Sequence, residues 1–82
     1  MEGKEIGVVF NYFENIGVAA IGLSAPLKLG NTIRIVGGDV DFTEVVDSIQ
    51  MNHKFIESAK KGDKIGIKVS EKARKGYKVY LQ

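Results

Sequence analysis

Eighty-two residues at 44% apolar content suffice for one hydrophobic core and leave nothing for a second, so a single domain over residues 1–82 is expected. No apolar run approaches the roughly 18 residues of a membrane span, and no charged-then-apolar leader opens the chain. The absence of cysteine removes disulfides, thiol nucleophiles and cysteine-based metal sites together, and cytoplasm is the expected compartment. The initial Met1 leads us to expect a whole protein.

The net charge of +2 conceals an asymmetry. Residues 60–78 hold Lys60, Lys61, Lys64, Lys68, Lys72, Arg74, Lys75 and Lys78 against Asp63 and Glu71, or +6, whereas residues 1–59 sum to −4. Such a division can focus an anionic partner on one side. Equally, lysines solvate strands and discourage edge pairing.

One pattern recurs four times: glycine, two mostly polar residues, then apolar-any-apolar. It is found at Gly3–Val8, Gly30–Ile35, Gly62–Ile67 and Gly76–Leu81. Glycine takes positive φ at a turn without strain, and the alternation that follows is the period of a half-buried strand. Four glycine-led hairpin corners in a small all-β domain are therefore expected.

In chain order, a first strand is predicted over Lys4–Phe13, with Ile6, Val8, Phe10 and Tyr12 on one face and Gly7, Val9, Asn11 and Phe13 on the other. Bulk on both faces suggests a central or strongly curved strand, with Gly7 allowing the bend. Gly17–Leu23 is small and apolar, as expected where another backbone approaches closely. It falls one residue short of a phosphate-binding loop, but Leu23 stands where the lysine is required, so nucleotide binding is rejected there. Ser24–Leu29 is a connection around Pro26, and Thr32–Val36 a strand broken by Gly37-Gly38-Asp39. In Phe42–Ala59, the residues Phe42, Val45, Val46, Ile49, His53 and Ile56 fall at helical spacing, and Asp41 with Glu44 fits a capping box. Against a helix stand the β-branched Thr43, Val45, Val46 and Ile49 and the turn chemistry of Asn52-His53. Lys64–Val69 alternates Ile65, Ile67 and Val69 inward, Ser70–Lys75 is a charged loop, and Tyr77–Leu81 closes the chain.

The order of these features resembles the second, β-barrel domain of translation elongation factors of the Tu type, across Ile6 to Leu81. The resemblance is carried by Gly17–Gly22, by Pro26–Gly37, by Ile49–Met51 through Ala59–Ile67 with its Gly-Asp-x-apolar-Gly-apolar run, and by Arg74–Val79. It implies a six- to seven-stranded closed Greek-key barrel, with two strands, about Glu44–Met51 and Lys54–Ser58, in place of the helix. Residue by residue the function carries over little. The family's acidic pair before the first-strand phenylalanine is Gly7-Val8 or Val8-Val9 here, and Lys64 replaces its asparagine. Phe10, Asn52 and His53 keep rough chemical similarity. The guanine-nucleotide domain of those factors is not in this chain, and no cofactor is implied.

Single candidate residues are weaker signals. His53 is the lone histidine, without an orienting carboxylate or thiol in sequence, and reads as a turn residue before a catalytic one. Asp39, Asp41 and Glu44 offer oxygen ligands, but the spacing lacks the glycine and distal glutamate of a calcium loop. Among the aromatics, Phe10 and Tyr77 read as core, while Tyr80 shares its strand face with Lys78, the pairing typical of single-stranded nucleic-acid grooves.

The reading is thus a non-enzymatic, translation-related barrel that binds tRNA, ribosomal RNA or the ribosome. Its expected contacts are Lys60, Lys61, Lys64, Lys68, Lys72, Arg74, Lys75, Lys78 and Tyr80. The rival is a protein-interaction module docking on an RNA-modifying enzyme or other partner, with an exposed apolar patch around Val9 and Phe13.

Overall fold

A computed structural model describes residues 3–38 and 40–82. Ten strands, all paired antiparallel, account for the regular structure of the described residues. They are β1 (Lys4–Phe13), β2 (Val18–Leu23), β3 (Leu27–Lys28), β4 (Thr32–Gly37), β5 (Val40–Val45), β6 (Ile49–Met51), β7 (Lys54–Ile56), β8 (Ser58–Ala59), β9 (Lys64–Lys68) and β10 (Lys78–Leu81). Eight form one sheet in the order β5-β4-β10-β1-β2-β9-β6-β7, and β3 pairs with β8. The all-β expectation holds, while the paired order is an open sheet of eight strands with β5 and β7 at its ends. No helix of the described residues is long and apolar enough to cross a membrane.

The segment of ambiguous period, residues 42–59, is strand throughout its regular parts, divided among β5, β6, β7 and β8. Its boundaries differ from the expected pair, because Val46 leaves the strand and turns fully inward at 1% exposure. Its amide donates to the Asn31 carbonyl at 2.8 Å, and its carbonyl accepts from Gly30 at 2.9 Å. β-Branched composition prevails over helical spacing here: Phe42, Val46, Ile49 and Ala59 reach the core from a strand or its end, while Val45 and Phe55 stay exposed.

Three of the four glycine corners are one and the same turn. In Lys28–Asn31, Lys60–Asp63 and Arg74–Tyr77 the fourth amide donates to the first carbonyl, at 3.2, 3.0 and 3.1 Å. The glycines at the third position have φ of 89°, 92° and 98°, which defines a type II turn and demands glycine. In the first two, an Asx side chain accepts from the amide of the opening residue: Asn31 Oδ1 from Lys28 at 3.0 Å, Asp63 Oδ2 from Lys60 at 2.9 Å. Gly3 is different: a Cβ there would run into the Leu81 carbonyl, so its glycine serves close approach.

Strand β1 departs from simple alternation. Its register slips between Glu5 and Gly7 against β10, and between Val9 and Asn11 against β2. Each slip is a bulge that leaves one residue unpaired and re-aims the side chains beyond it. Ile6 and Val9, three apart, are therefore both buried, while Val8 is 38% exposed and Phe10 41%. The expected face of Ile6, Val8, Phe10 and Tyr12 is split by these bulges. The inward set Ile6, Val9, Ile21, Ile33, Ile35, Ile49, Ile67 and Val79 forms one core with Leu27 and Val46.

Gly7 sits where β1 crosses β2 most closely: an added Cβ would lie 2.7 Å from the Gly22 carbonyl oxygen and 2.9 Å from Ile21 Cγ2. Backbone cannot yield as a side chain does, so Gly7→Ala should lower unfolding free energy by about 1–3 kcal/mol, read by urea titration. The β6–β7 corner makes the opposite prediction. Asn52 and His53 both have positive φ, 54° and 67°, the signature of a type I′ hairpin turn. The left-handed conformation costs a non-glycine residue roughly 1–2 kcal/mol, more than the ~0.5–1 kcal/mol of entropy that glycine forfeits on folding. His53→Gly should therefore raise the thermal midpoint slightly, by differential scanning calorimetry.

Candidate functional site

The outer face of β1, β2, β9 and β6 carries rows set by the strand registers. One row runs Lys78, Val8, Gly22, Lys64; the next runs Asn11, Ala20, Gly66, Gln50, Phe55; a third runs Phe13, Val18, Lys68. The middle row has only Ala20 and Gly66 at its centre, so the surface sinks there. Gly66 fits closely, since a Cβ on it would meet Val18 Cγ1 at 3.0 Å. Phe10, Phe13 and Ile16 rise on one side of this floor, and Met51 and Phe55 on the other.

The result is a groove with aromatic walls and cationic ends. Phe13 is 47% exposed, Ile16 60% and Phe55 72%, a contiguous apolar surface of the kind that marks an interaction site. Lys64 stands at one end with its ammonium 5.8 Å from the centre of the Phe10 ring, within cation–π range. Lys68 and His53 also line the walls, and among the described residues no carboxylate does.

The sequence-predicted contacts are dispersed. Lys60 and Lys61 lie at the turn beside Leu23, whose carbonyl accepts from Gly62 at 2.9 Å. Lys72 lies beyond the opposite end of β2, where it pairs with Glu14 at 3.0 Å. Arg74 and Lys75 share that region with Asn11 and Tyr12. Lys78 projects from β10, separated from β9 by β1 and β2. Tyr80 is half-buried in a shallow depression with Arg34 and Val36. Of the nine, only Lys64 and Lys68 meet at the groove.

The loop expected to be merely charged is tied down. Ala73 is fully buried, the Ser70 amide and hydroxyl both donate to Glu44 Oε1 at 2.8 Å, and the Gly76 amide donates to the Val9 carbonyl at 2.7 Å. Its lysines lie on a strap across the end of the sheet. Asp41 and Glu44, considered as cation ligands, are engaged by Arg34 and Ser70, and Asp39 lies outside the described residues. His53 is exposed at the tip of its hairpin. Phe10, expected in the core, is outside because of the β1 bulge, and Val9, expected in an exposed patch, is inside. Sequence reasoning passed over Ile16 and Phe55. The signal for Phe55 was its place two residues beyond the Asn52-His53 turn, opposite the polar Gln50.

The fold and groove define an all-β domain that exposes an aromatic surface. No protein-family model matches the chain. An uncharacterised protease of Methanocaldococcus jannaschii is 46% identical over 78 residues, which are 94% of this chain; the chain spans 19% of that relative's length. Two crystal structures of the C-terminal domain of a Geobacillus thermoleovorans protein assigned to the U32 peptidases, one of them the selenomethionine variant, superpose with TM-scores of 0.89 and 0.90. Their identities are 18% and 17%, they cover 94% and 96% of this chain, and the match takes in 98% and 92% of theirs. The likeness to these two establishes a shared fold.

These findings overturn the kinship with elongation-factor barrels. With it go the translation-related function through RNA or the ribosome, and the rival of docking on an RNA-modifying enzyme. The physical reason is that much of the shared pattern is turn chemistry, type II turns at Gly30, Gly62 and Gly76 (the first two with an Asx acceptor), each followed by a half-buried strand. Any antiparallel domain uses those elements.

Electrostatics outside the groove yields one prediction. Arg34 Nε donates to Asp41 Oδ1 at 2.7 Å across the β4–β5 hairpin, and this bond with the guanidinium charge holds the Asp41 carboxyl below the usual range. A carboxyl depressed in the folded state adds stability above its unfolded pKa and loses it as pH falls through the folded value. Arg34→Gln should raise the Asp41 titration midpoint and flatten the acid limb of the stability profile, read by carboxyl NMR and by denaturation against pH.

Proposed function

We propose that this chain is an accessory domain of a U32-type peptidase protein, seated against the peptidase's catalytic part through Phe10, Phe13 and Ile16. The observation that carries this is the exposed apolar wall these side chains form above Ala20 and Gly66, a surface of the kind that marks an interaction site. The 46% identity to a protease over nearly the whole chain, and the likeness to a domain found C-terminal in a U32 protein, supply the partner's class. The domain's contribution in this reading is to position, with the chemistry left to the larger part. Closure of the rolled sheet into a barrel belongs to the same reading. It is supported by bonds from Leu29 to Glu57 at 2.9 Å and from Gly30 to Val46 at 2.9 Å, which draw the β3–β8 ladder towards both end strands.

The test mixes this chain with the M. jannaschii relative from which the matching 78 residues have been removed. Sedimentation velocity should show a one-to-one complex, weakened at least tenfold by the paired changes Phe13→Ser and Ile16→Ser, with the fold of the variant checked by its methyl NMR spectrum. Absence of a complex, or one indifferent to those changes, would overturn the reading.

A further inference from the structure

The end strand β7 carries an unfilled hydrogen-bonding position. In a two-residue hairpin the closing pair, Met51 and Lys54, exchanges both main-chain bonds, so the next pair, Gln50 and Phe55, exchanges none. The amide and carbonyl of Phe55 therefore point away from β6, as do those of Glu57. The Glu57 carbonyl accepts from the Leu29 amide at 2.9 Å, and β3 covers the chain from there through β8. At Gly30, with φ of 89°, β3 turns off towards β4 and leaves the edge beside Phe55 bare. Among the described residues no backbone partner faces Phe55. Its ring is also the most exposed large apolar side chain, at 72%.

We infer that β7 accepts an extended polypeptide as an added antiparallel strand, with its central residue bonded to Phe55. A donor and an acceptor spaced as one residue of a strand are matched by another main chain, which distinguishes a polypeptide from a nucleic acid. Side-chain preference follows from the two faces. The added residue beside Phe55 meets the outer side of its exposed ring, and is apolar. Its neighbour beside Ile56, which is half-buried against the core, is apolar as well. The neighbour beside Lys54, an exposed cation next to His53, is acidic. The recognised sequence is therefore apolar-apolar-acid, read from N to C along the added strand. This deepens the proposed function by naming the class of ligand a peptidase's accessory domain would hold, and it uses a different part of the groove from Phe13 and Ile16.

The experiment titrates the whole chain with the blocked peptide Ser-Thr-Val-Val-Glu-Ser-Thr and follows amide exchange and chemical shifts. The expected result is slowed exchange at the Phe55 amide, with at least tenfold weaker binding when the second valine is N-methylated or glutamate is replaced by lysine. Phe55→Pro should abolish binding while leaving the β6 ladder intact, because the amide it removes faces away from β6. If that variant does not fold, the N-methylated peptide still decides. No binding, binding unaffected by N-methylation, or equal binding of oligouridylate without protection at Phe55 would each overturn the proposal. A chain that forms the complex with the truncated relative but leaves the peptide unbound overturns this inference alone. The reverse outcome overturns only the seating through Phe13 and Ile16.

Discussion

Strand β1 must pair on both sides and at the same time curl around a core, and the two bulges are how it does both. A ten-residue strand with strict alternation would aim every second side chain inward along a nearly flat ribbon. By leaving one residue unpaired near each of Glu5–Gly7 and Val9–Asn11, the chain bends where it is central to the sheet. Ile6 and Val9 then reach the interior, and Phe10 is left on the outer surface. The core and the groove are consequences of one backbone feature. Gly7 makes it possible, since the bent strand passes too close to Gly22 and Ile21 for a side chain.

The groove depends on small residues as much as on aromatic ones. Ala20 and Gly66 lie opposite each other on adjacent strands, and Phe10, Phe13 and Phe55 can form walls only because those two positions stay low. Phe10 is further held by the Lys64 ammonium above its ring. The strap over residues 70–76 closes the end of the core with Ala73 and is fixed to β5 by Glu44 and to β1 by Val9. The cations of residues 60–78 are thus divided among the 60–63 turn, strand β9, this covering strap and strand β10.

The recurring glycine pattern bears on how a family resemblance can mislead. Gly30-Asn31 and Gly62-Asp63 make the same type II turn with the same Asx bond, and Gly76 makes the turn without it. A motif made of turn chemistry specifies local geometry and says little about ancestry. Residues 42–59 are strand and not helix, as the elongation-factor likeness implied, but as parts of four strands with a break at residues 46–48 in place of the expected pair. What the two reasonings shared was the β-branched composition of the segment, and that was the physically effective part.

The sequence by itself determined the all-β class, the limits of β1 at Lys4 and Phe13, the inward set Ile65, Ile67 and Val69, and the turns at Gly30, Gly62 and Gly76. These follow from period-two alternation and from the restriction of positive φ to glycine, both of which act within a few residues. Tertiary structure alone decided that Phe10 faces out and Val9 in, that Ala73 is core, and that Phe55 ends a sheet with its main chain uncovered. Each of these depends on a partner distant in the chain: the register of β1 against β2 and β10, the loop's contact with β1, and the place where β3 turns aside. Non-local pairing sets them, and no window of neighbouring residues contains it.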